Sequence, residues 1–138
     1  DFEAVMIQKK GDYYYFFGSK ESCCEGAKSK YHIRVGRSKS FKGPFLDRDS
    51  KDLRDRGTGT ILIQSSEPYA GPGHNAKLIT DHKGRDWMLY HAIVKEKPYL
   101  PSGANRRVLM LDEVKWKEGW PYIDYSEPSS KYLDGASF

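Results

Sequence analysis

The chain has 138 residues, of which 38% are hydrophobic and 14% aromatic, and a formal net charge of +4. This length suffices for one domain with a core and excludes several independent domains. The basic residues are interspersed with acidic and apolar ones, without a recognition helix or an RNA-binding aromatic motif, so nucleic acid is not an expected partner. Neither a membrane-spanning run nor a signal peptide is visible, so a membrane is not expected either.

The first half of the chain predicts β-strands separated by turns. Residues 3–8 (EAVMIQ) and 13–17 (YYYFF) flank a Lys-Gly-Asp turn, residues 31–35 (YHIRV) follow, and the unit closes at residues 43–45 (GPF). Aromatic and β-branched residues favour strands, and no segment shows the apolar periodicity of a capped helix. The sequence therefore predicts an all-β fold.

The second half repeats this order. Residues 74–79 (HNAKLI) and 87–91 (WMLYH) flank another Lys-Gly turn, residues 107–111 (RVLML) follow, and the unit closes at residues 119–122 (GWPY). Repeats of four short strands with long loops are typical of β-propeller blades. We predict a propeller fragment of about two four-stranded blades.

The two copies open on isolated polar residues, Glu3 in the first and His74 in the second. The first strand of each propeller blade lines the central channel, so residues at the start of successive first strands converge on one mouth. On position alone each has a simpler interpretation, a solvated carboxylate for Glu3 and a hydrogen-bonded histidine for His74. The propeller pattern instead predicts that both face a common site.

The two cysteines are sequence neighbours, Cys23 and Cys24, in the connection between the second and third predicted strands. A disulfide between neighbours is conceivable but requires an unfavourable geometry, so we expect two ordinary thiols. Metal binding by the pair is disfavoured because no further Cys or His cluster has ligand spacing.

The ordered motifs of both halves closely resemble glycoside hydrolase family 43, in particular its arabinanase branch. The motifs that carry the resemblance are residues 3–4 (EA), 13–19 (YYYFFGS), 23–26 (CCEG), 31–38 (YHIRVGRS), 43–47 (GPFLD), 71–75 (GPGHN), 87–92 (WMLYHA) and 116–121 (WKEGWP). The resemblance extends over about residues 1–128, and a chain of ordered motifs is far more specific than any one of them.

The resemblance implies a five-bladed propeller of which this chain is the C-terminal part. Residues 1–64 would be the penultimate blade and its connection, 65–128 the last blade, and 129–138 a C-terminal tail. The family hydrolyses linkages in arabinan, xylan and related plant polysaccharides with inversion, so the implied partner is an arabinan or arabinoxylan-type oligosaccharide. A secreted or periplasmic location would fit if the full-length protein carries a signal peptide.

Inversion needs a general acid and a general base on opposite faces of the sugar, about 6.5 to 9.5 Å apart. Glu3 matches the family's general acid, and partial desolvation at the channel end would favour its protonated form. Asp1 lies on the same strand face as Glu3 and cannot flank the sugar from the other side. The family's base and its modulating aspartate belong to blades that this sequence does not contain. We therefore expect the chain alone to be inactive, and to need the missing N-terminal blades or self-association.

Two further residues acquire roles from the resemblance. His74 corresponds to a histidine on the propeller axis that helps to hold a central cation, commonly calcium, although calcium prefers oxygen ligands to imidazole. Arg107 is the candidate for a family arginine that contacts sugar hydroxyls or the acid, with Arg106 as an equal alternative and a plain surface position open for either.

A noncatalytic interpretation also stays open, namely a propeller-derived module that binds carbohydrate or self-associates. An upstream reading frame that encodes two further blades, each with an aspartate at the start of an inner strand, would favour the hydrolase over this module.

Overall fold

The chain is all-β, as predicted. The structure, a computed structural model, describes residues 1–130 and 135–138, so residues 131–134 of the predicted tail lie outside the described residues. In chain order the strands are β1 (Glu3–Lys10), β2 (Tyr13–Lys20), β3 (His32–Ser38), β4 (Thr60–Ile63), β5 (Tyr69–Gly73), β6 (Ile79–Thr80), β7 (Asp86–Val94), β8 (Arg107–Lys117) and β9 (Trp120–Tyr122). Single 3₁₀ turns occur at Gly26–Lys28 and Asp124–Ser126. Within the described ranges, no helix is long and apolar enough to cross a membrane.

The strands form two antiparallel sheets that follow one another along the chain. The first sheet has the order β1-β2-β3-β4, and the second has the order β5-β7-β8-β9 with β6 paired to β7. Up-and-down four-stranded sheets of this kind are the blades of a β-propeller, and the chain is a propeller fragment of about two blades. The assignment of residues 1–64 and 65–128 to the penultimate and last blades stays a prediction.

The core lies between the two sheets. On β2 the side chains of Tyr15 and Phe17 are buried in it, while Tyr14 and Phe16 point to the opposite face because side chains alternate along a strand. Burial of each large apolar side chain contributes about 1.5–3 kcal/mol. The cluster consists of Tyr15, Phe17, Ile33, Val35, Leu62, Ile63, Leu78, Met88, Tyr90, Ala92, Val114 and Ile123.

The fourth strand of the first sheet is not at the predicted close. The sequence suggested that the unit ends at residues 43–45, whereas its last strand is β4, which follows a long loop. Asp47 fixes this loop because its carboxylate accepts backbone hydrogen bonds from Asp49, Lys51 and Gly59. Order in this loop therefore comes from side-chain to backbone bonds, which leave no periodic signal in the sequence.

The first strand of the second sheet also differs from the prediction. His74 was expected to open this strand, but β5 precedes it and ends at Gly73, and residues 75–78 are not in a strand. The glycine-rich segment forms a strand by pairing with β7, and it packs closely on the first sheet: a Cβ at Gly73 would lie 2.1 Å from the Tyr31 ring. Pro72 is tolerated because β5 is an edge strand.

Candidate active site

Glu3 begins β1 and lies opposite Ser19 of β2. The register shifts between Glu3 and Met6, and Ala4 has a positive φ of 48°, so the strand is irregular at its start. The Glu3 side chain is exposed, and its Oε2 atom accepts a hydrogen bond of 3.2 Å from the Tyr31 hydroxyl. The candidate acid therefore has a defined partner in the first sheet.

Tyr31 connects Glu3 to the second sheet. Its side chain is buried, lies against Gly73, and stacks on His91 with ring centroids 6.0 Å apart and an interplanar angle of 15°. Burial raises the pKa of the Tyr31 hydroxyl, and the neighbouring Glu3 carboxylate also raises it, so the hydroxyl stays protonated and can donate. Sequence reasoning missed this residue, because a tyrosine just before a strand resembles any other strand aromatic.

His74 lies directly after β5 with a positive φ of 55°. Its backbone N–H donates to the Ser19 Oγ atom at 2.9 Å, and its exposed ring lies 6.1 Å from the His91 ring. Ser19 is thus a neighbour of both His74 and Glu3. The ends of β1 and β5 bring the two predicted site residues to this one serine.

His91 is a second residue that sequence reasoning did not single out. Burial, followed by the positive charge of Arg107, lowers the pKa of His91 to about 4, so its ring is neutral at pH 7. Its Nδ1 atom is buried and has no hydrogen-bond partner among the described residues. The sequence feature that could have identified it is a histidine within the apolar strand β7.

Arg107 begins β8 and is exposed. Its Nη2 atom contacts the Sγ atoms of Cys24 at 3.0 Å and Cys23 at 3.6 Å. The two cysteines are joined by a disulfide, so the prediction of two thiols is wrong. The reason lies in a loop conformation that brings neighbouring side chains together, and local sequence does not reveal it. Arg106, the alternative, donates its backbone N–H to Pro98 in the preceding loop.

The chain does not by itself offer a calcium site. His74 supplies one imidazole, and the described residues contain no group of three or more His, Cys, Asp or Glu side chains placed to hold a metal ion. Calcium takes six to eight oxygen ligands. The central cation therefore stays a prediction about a larger assembly in which waters or other blades supply oxygen.

The arrangement provides one proton donor and one fixed positive charge. Among the described residues, no second carboxylate forms a hydrogen bond with Glu3, Tyr31, His74 or Arg107. Asp1 instead lines a cavity of about 840 Å³, together with Phe2, Phe16 and Phe45, and Glu3 does not line it. The site therefore offers one carboxyl group, with Tyr31 as its partner, and one arginine that can bind polar groups.

Comparison with known proteins gives the family of the chain. A family model described as glycosyl hydrolases family 43 matches residues 2–121. An extracellular exo-α-(1→5)-L-arabinofuranosidase of Cellvibrio japonicus is 39% identical over 129 residues, which is 93% of this chain and 35% of the relative. An extracellular endo-α-(1→5)-L-arabinanase of Bacillus subtilis is 33% identical over 119 residues, 86% of this chain and 33% of the relative.

Solved structures agree with these relatives. An α-L-arabinanase of Cellvibrio cellulosa in complex with arabinohexaose superposes with a TM-score of 0.78 at 38% identity, over 90% of this chain and 37% of that one. An exo-1,5-α-L-arabinanase from a bovine ruminal metagenomic library gives a TM-score of 0.75 at 32% identity, over 88% of this chain and 37% of that one. The chain spans about a third of the length of the curated relatives it matches.

Proposed function

Because the chain belongs to glycosyl hydrolases family 43, we propose that it is the acid-bearing part of an inverting hydrolase that acts on arabinan or related arabinose- and xylose-containing polysaccharides. The observation that carries the proposal is the Glu3 carboxyl group, which begins an inner strand and is held by Tyr31 at 3.2 Å. The relatives named for arabinan linkages support the substrate class.

In this proposal Glu3 gives its proton to the glycosidic oxygen as the bond between that oxygen and the anomeric carbon breaks. A water attacks the anomeric carbon from the opposite face and loses its proton to a second carboxylate. Tyr31 is a positioning residue: its hydroxyl can donate to the Glu3 carboxylate once the proton has left. Arg107 supplies hydrogen-bond donors for sugar hydroxyls.

The second carboxylate belongs to further blades of the enzyme. We call the chain together with those blades the complete propeller, and we propose that this chain corresponds to its last two blades. Alternatively, self-association of the chain supplies the surfaces that the missing N-terminal blades would otherwise provide. The relatives named as extracellular support a secreted location for the complete propeller.

The test is Glu3→Gln in the complete propeller. Turnover of arabinan should fall by about 10²- to 10⁴-fold, the usual contribution of a general acid. An aryl arabinofuranoside with a good leaving group needs little proton donation and should lose much less. Both rates are measured as kcat/KM.

Asp12→Asn is the matched control, because it removes an exposed carboxylate in the turn at the other end of the β1–β2 hairpin. This variant should hydrolyse both substrates normally. If Glu3→Gln also hydrolyses both normally, the acid assignment fails, and the alternative of a noncatalytic carbohydrate-binding or self-associating module is favoured.

A further inference from the structure

We propose that the Cys23–Cys24 disulfide and the Arg107 guanidinium form one wall of a sugar-binding subsite beside the candidate acid, against which a pentose ring of the substrate packs. We call these three residues the disulfide wall. This inference rests on the proposed function, because it takes an arabinose-containing chain as the ligand.

The disulfide wall lies close to the residues that hold Glu3. Arg107 pairs with Ile93 in the β7–β8 register, next to the pair formed by Ala92 and Val108 and two positions from His91. The positive charge of Arg107 contributes to the lowered pKa of His91 and acts on the Tyr31 hydroxyl. The wall is therefore next to the tyrosine whose hydroxyl contacts the acid.

The surface of the wall has the chemistry that a sugar ring requires. Cys24 is exposed and Cys23 is half-buried, so the disulfide with its two polarisable sulfur atoms lies at the surface of the chain. They bear no N–H or O–H group and suit the C–H face of a ring. Among the described residues, the Arg107 guanidinium donates only to these sulfur atoms, which leaves most of its N–H groups for hydroxyls at the ring edge.

The loop that carries the disulfide is held in place before any ligand binds. The Asn105 side chain accepts a hydrogen bond from the Gly26 N–H at 2.7 Å and donates one to the Cys24 carbonyl at 3.2 Å. The Ser22 carbonyl closes the base of the loop by accepting from the N–H groups of Lys30 and Tyr31. A wall fixed in this way can bind a ligand with little cost in conformational entropy.

A purely structural role explains this disulfide poorly. A cross-link stabilises mainly by closing a long loop of the unfolded chain, and its contribution falls as the loop shortens. Cys23 and Cys24 are adjacent, so their bond connects no separate elements. The Asn105 and Ser22 hydrogen bonds already fix the loop.

The experiment measures binding separately from turnover. Arabinohexaose is titrated by calorimetry into the complete propeller carrying Glu3→Gln, which does not consume it. Adding Cys23→Ala with Cys24→Ala, or adding Arg107→Ala, should weaken binding by about tenfold, the loss expected for one packing contact to a ligand ring. Lys28→Ala, which changes an exposed residue of the same loop, should leave the affinity within about twofold.

Treatment with a reductant is a second version of the binding experiment, because it opens the disulfide without any substitution. It should weaken binding when both cysteines are present and have no effect on the double alanine variant. Unchanged affinity in the double variant overturns the proposal, even if its melting temperature falls, and so does an absence of arabinohexaose binding to the Glu3→Gln protein. Neither result touches the acid assignment, which is decided by turnover of the Glu3→Gln variant.

Discussion

Glu3 is exposed, yet its geometry is determined by a residue of the interior. The Tyr31 ring is packed between Gly73 and His91, so the hydroxyl that reaches Glu3 has little freedom to move. A hydrogen bond to a charged group contributes about 1.5–3 kcal/mol. The first sheet supplies the candidate acid, and contacts with the second sheet fix the tyrosine that contacts it.

The proposed cation can be tested through stability as well as activity. If His74 helps to hold calcium in the complete propeller, a chelator should lower the free energy of unfolding, by about 2.7 kcal/mol if calcium was present at 100 times its Kd. His74→Ala should have the same effect and should abolish the sensitivity to the chelator. Thermal unfolding with and without chelator measures both.

His82→Ala is the control, because it removes another exposed histidine from a turn of the second sheet. This variant should remain sensitive to the chelator. Identical melting curves of the unaltered protein with and without chelator would contradict the prediction of a central cation.

At the scale of the elements, two turns of the chain have the same hydrogen-bond pattern. Asp47 accepts backbone hydrogen bonds from the residues two and four positions later, and Asp81 does the same with Lys83 and Arg85. Asp81 also accepts from the Arg85 guanidinium, the Trp87 indole and the Ser137 backbone N–H. Its carboxylate thus connects the turn, strand β7 and the end of the chain.

The Asp81 turn predicts a dependence of stability on pH. Burial alone would raise the pKa of Asp81, but the hydrogen bonds outweigh it and hold the pKa well below its usual range. Because the folded-state pKa is depressed, the stabilisation is complete above the unfolded pKa of about 3.9 and is lost as the pH falls below it. Asp81→Asn should lower the melting temperature at neutral pH by roughly 5 °C or more, and by less at acidic pH.

Thermal unfolding of the chain across a pH series measures this difference. Asp49→Asn serves as the control, since Asp49 is exposed and only its backbone enters the Asp47 turn. Equal losses for Asp81→Asn at neutral and acidic pH would show that the turn does not depend on the charge.

The strands were predictable where the local pattern decides the structure. Residues 13–17 and 87–91 lie in strands as expected, because short runs of aromatic and apolar residues next to turns favour strands. The strand β5 was missed because it contains two glycines and a proline, and its pairing with β7 is not visible in the local sequence. His91 was missed because its contact with Tyr31 comes from far along the chain, whereas the disulfide was missed because its formation depends on the conformation of a loop.

At the scale of the whole molecule, the chain leaves apolar surface open on the outer face of its second sheet. Leu109 is 75% exposed, and its neighbours Leu89 and Leu111 on the same face are half-buried. The outer face of the first sheet carries the cavity lined by Phe2, Phe16 and Phe45. Exposed apolar surface of this kind marks an interface or promotes association.

We therefore predict that the isolated chain associates in solution. Light scattering coupled to gel filtration should give a mass above the 15.9 kDa of one chain at micromolar concentrations. Leu109→Lys should shift the distribution towards the monomer because it places a charge on the open face. Ile61→Lys, at a less exposed position on the edge strand β4, should change the distribution less.

A stable monomer that hydrolyses arabinan without any partner would contradict both this prediction and the division of catalytic roles between blades.

Tyr31 also makes the orientation of the acid sensitive to the angle between the two sheets. Its hydroxyl contacts Glu3 in the first sheet, while its ring rests on Gly73 and His91 in the second, so a tilt of one sheet against the other displaces the Glu3 carboxyl group. Gly73 is consequently as constrained as Glu3, although it has no side chain. Any β-carbon there would push the tyrosine aside and displace the Glu3 carboxyl group without contacting it.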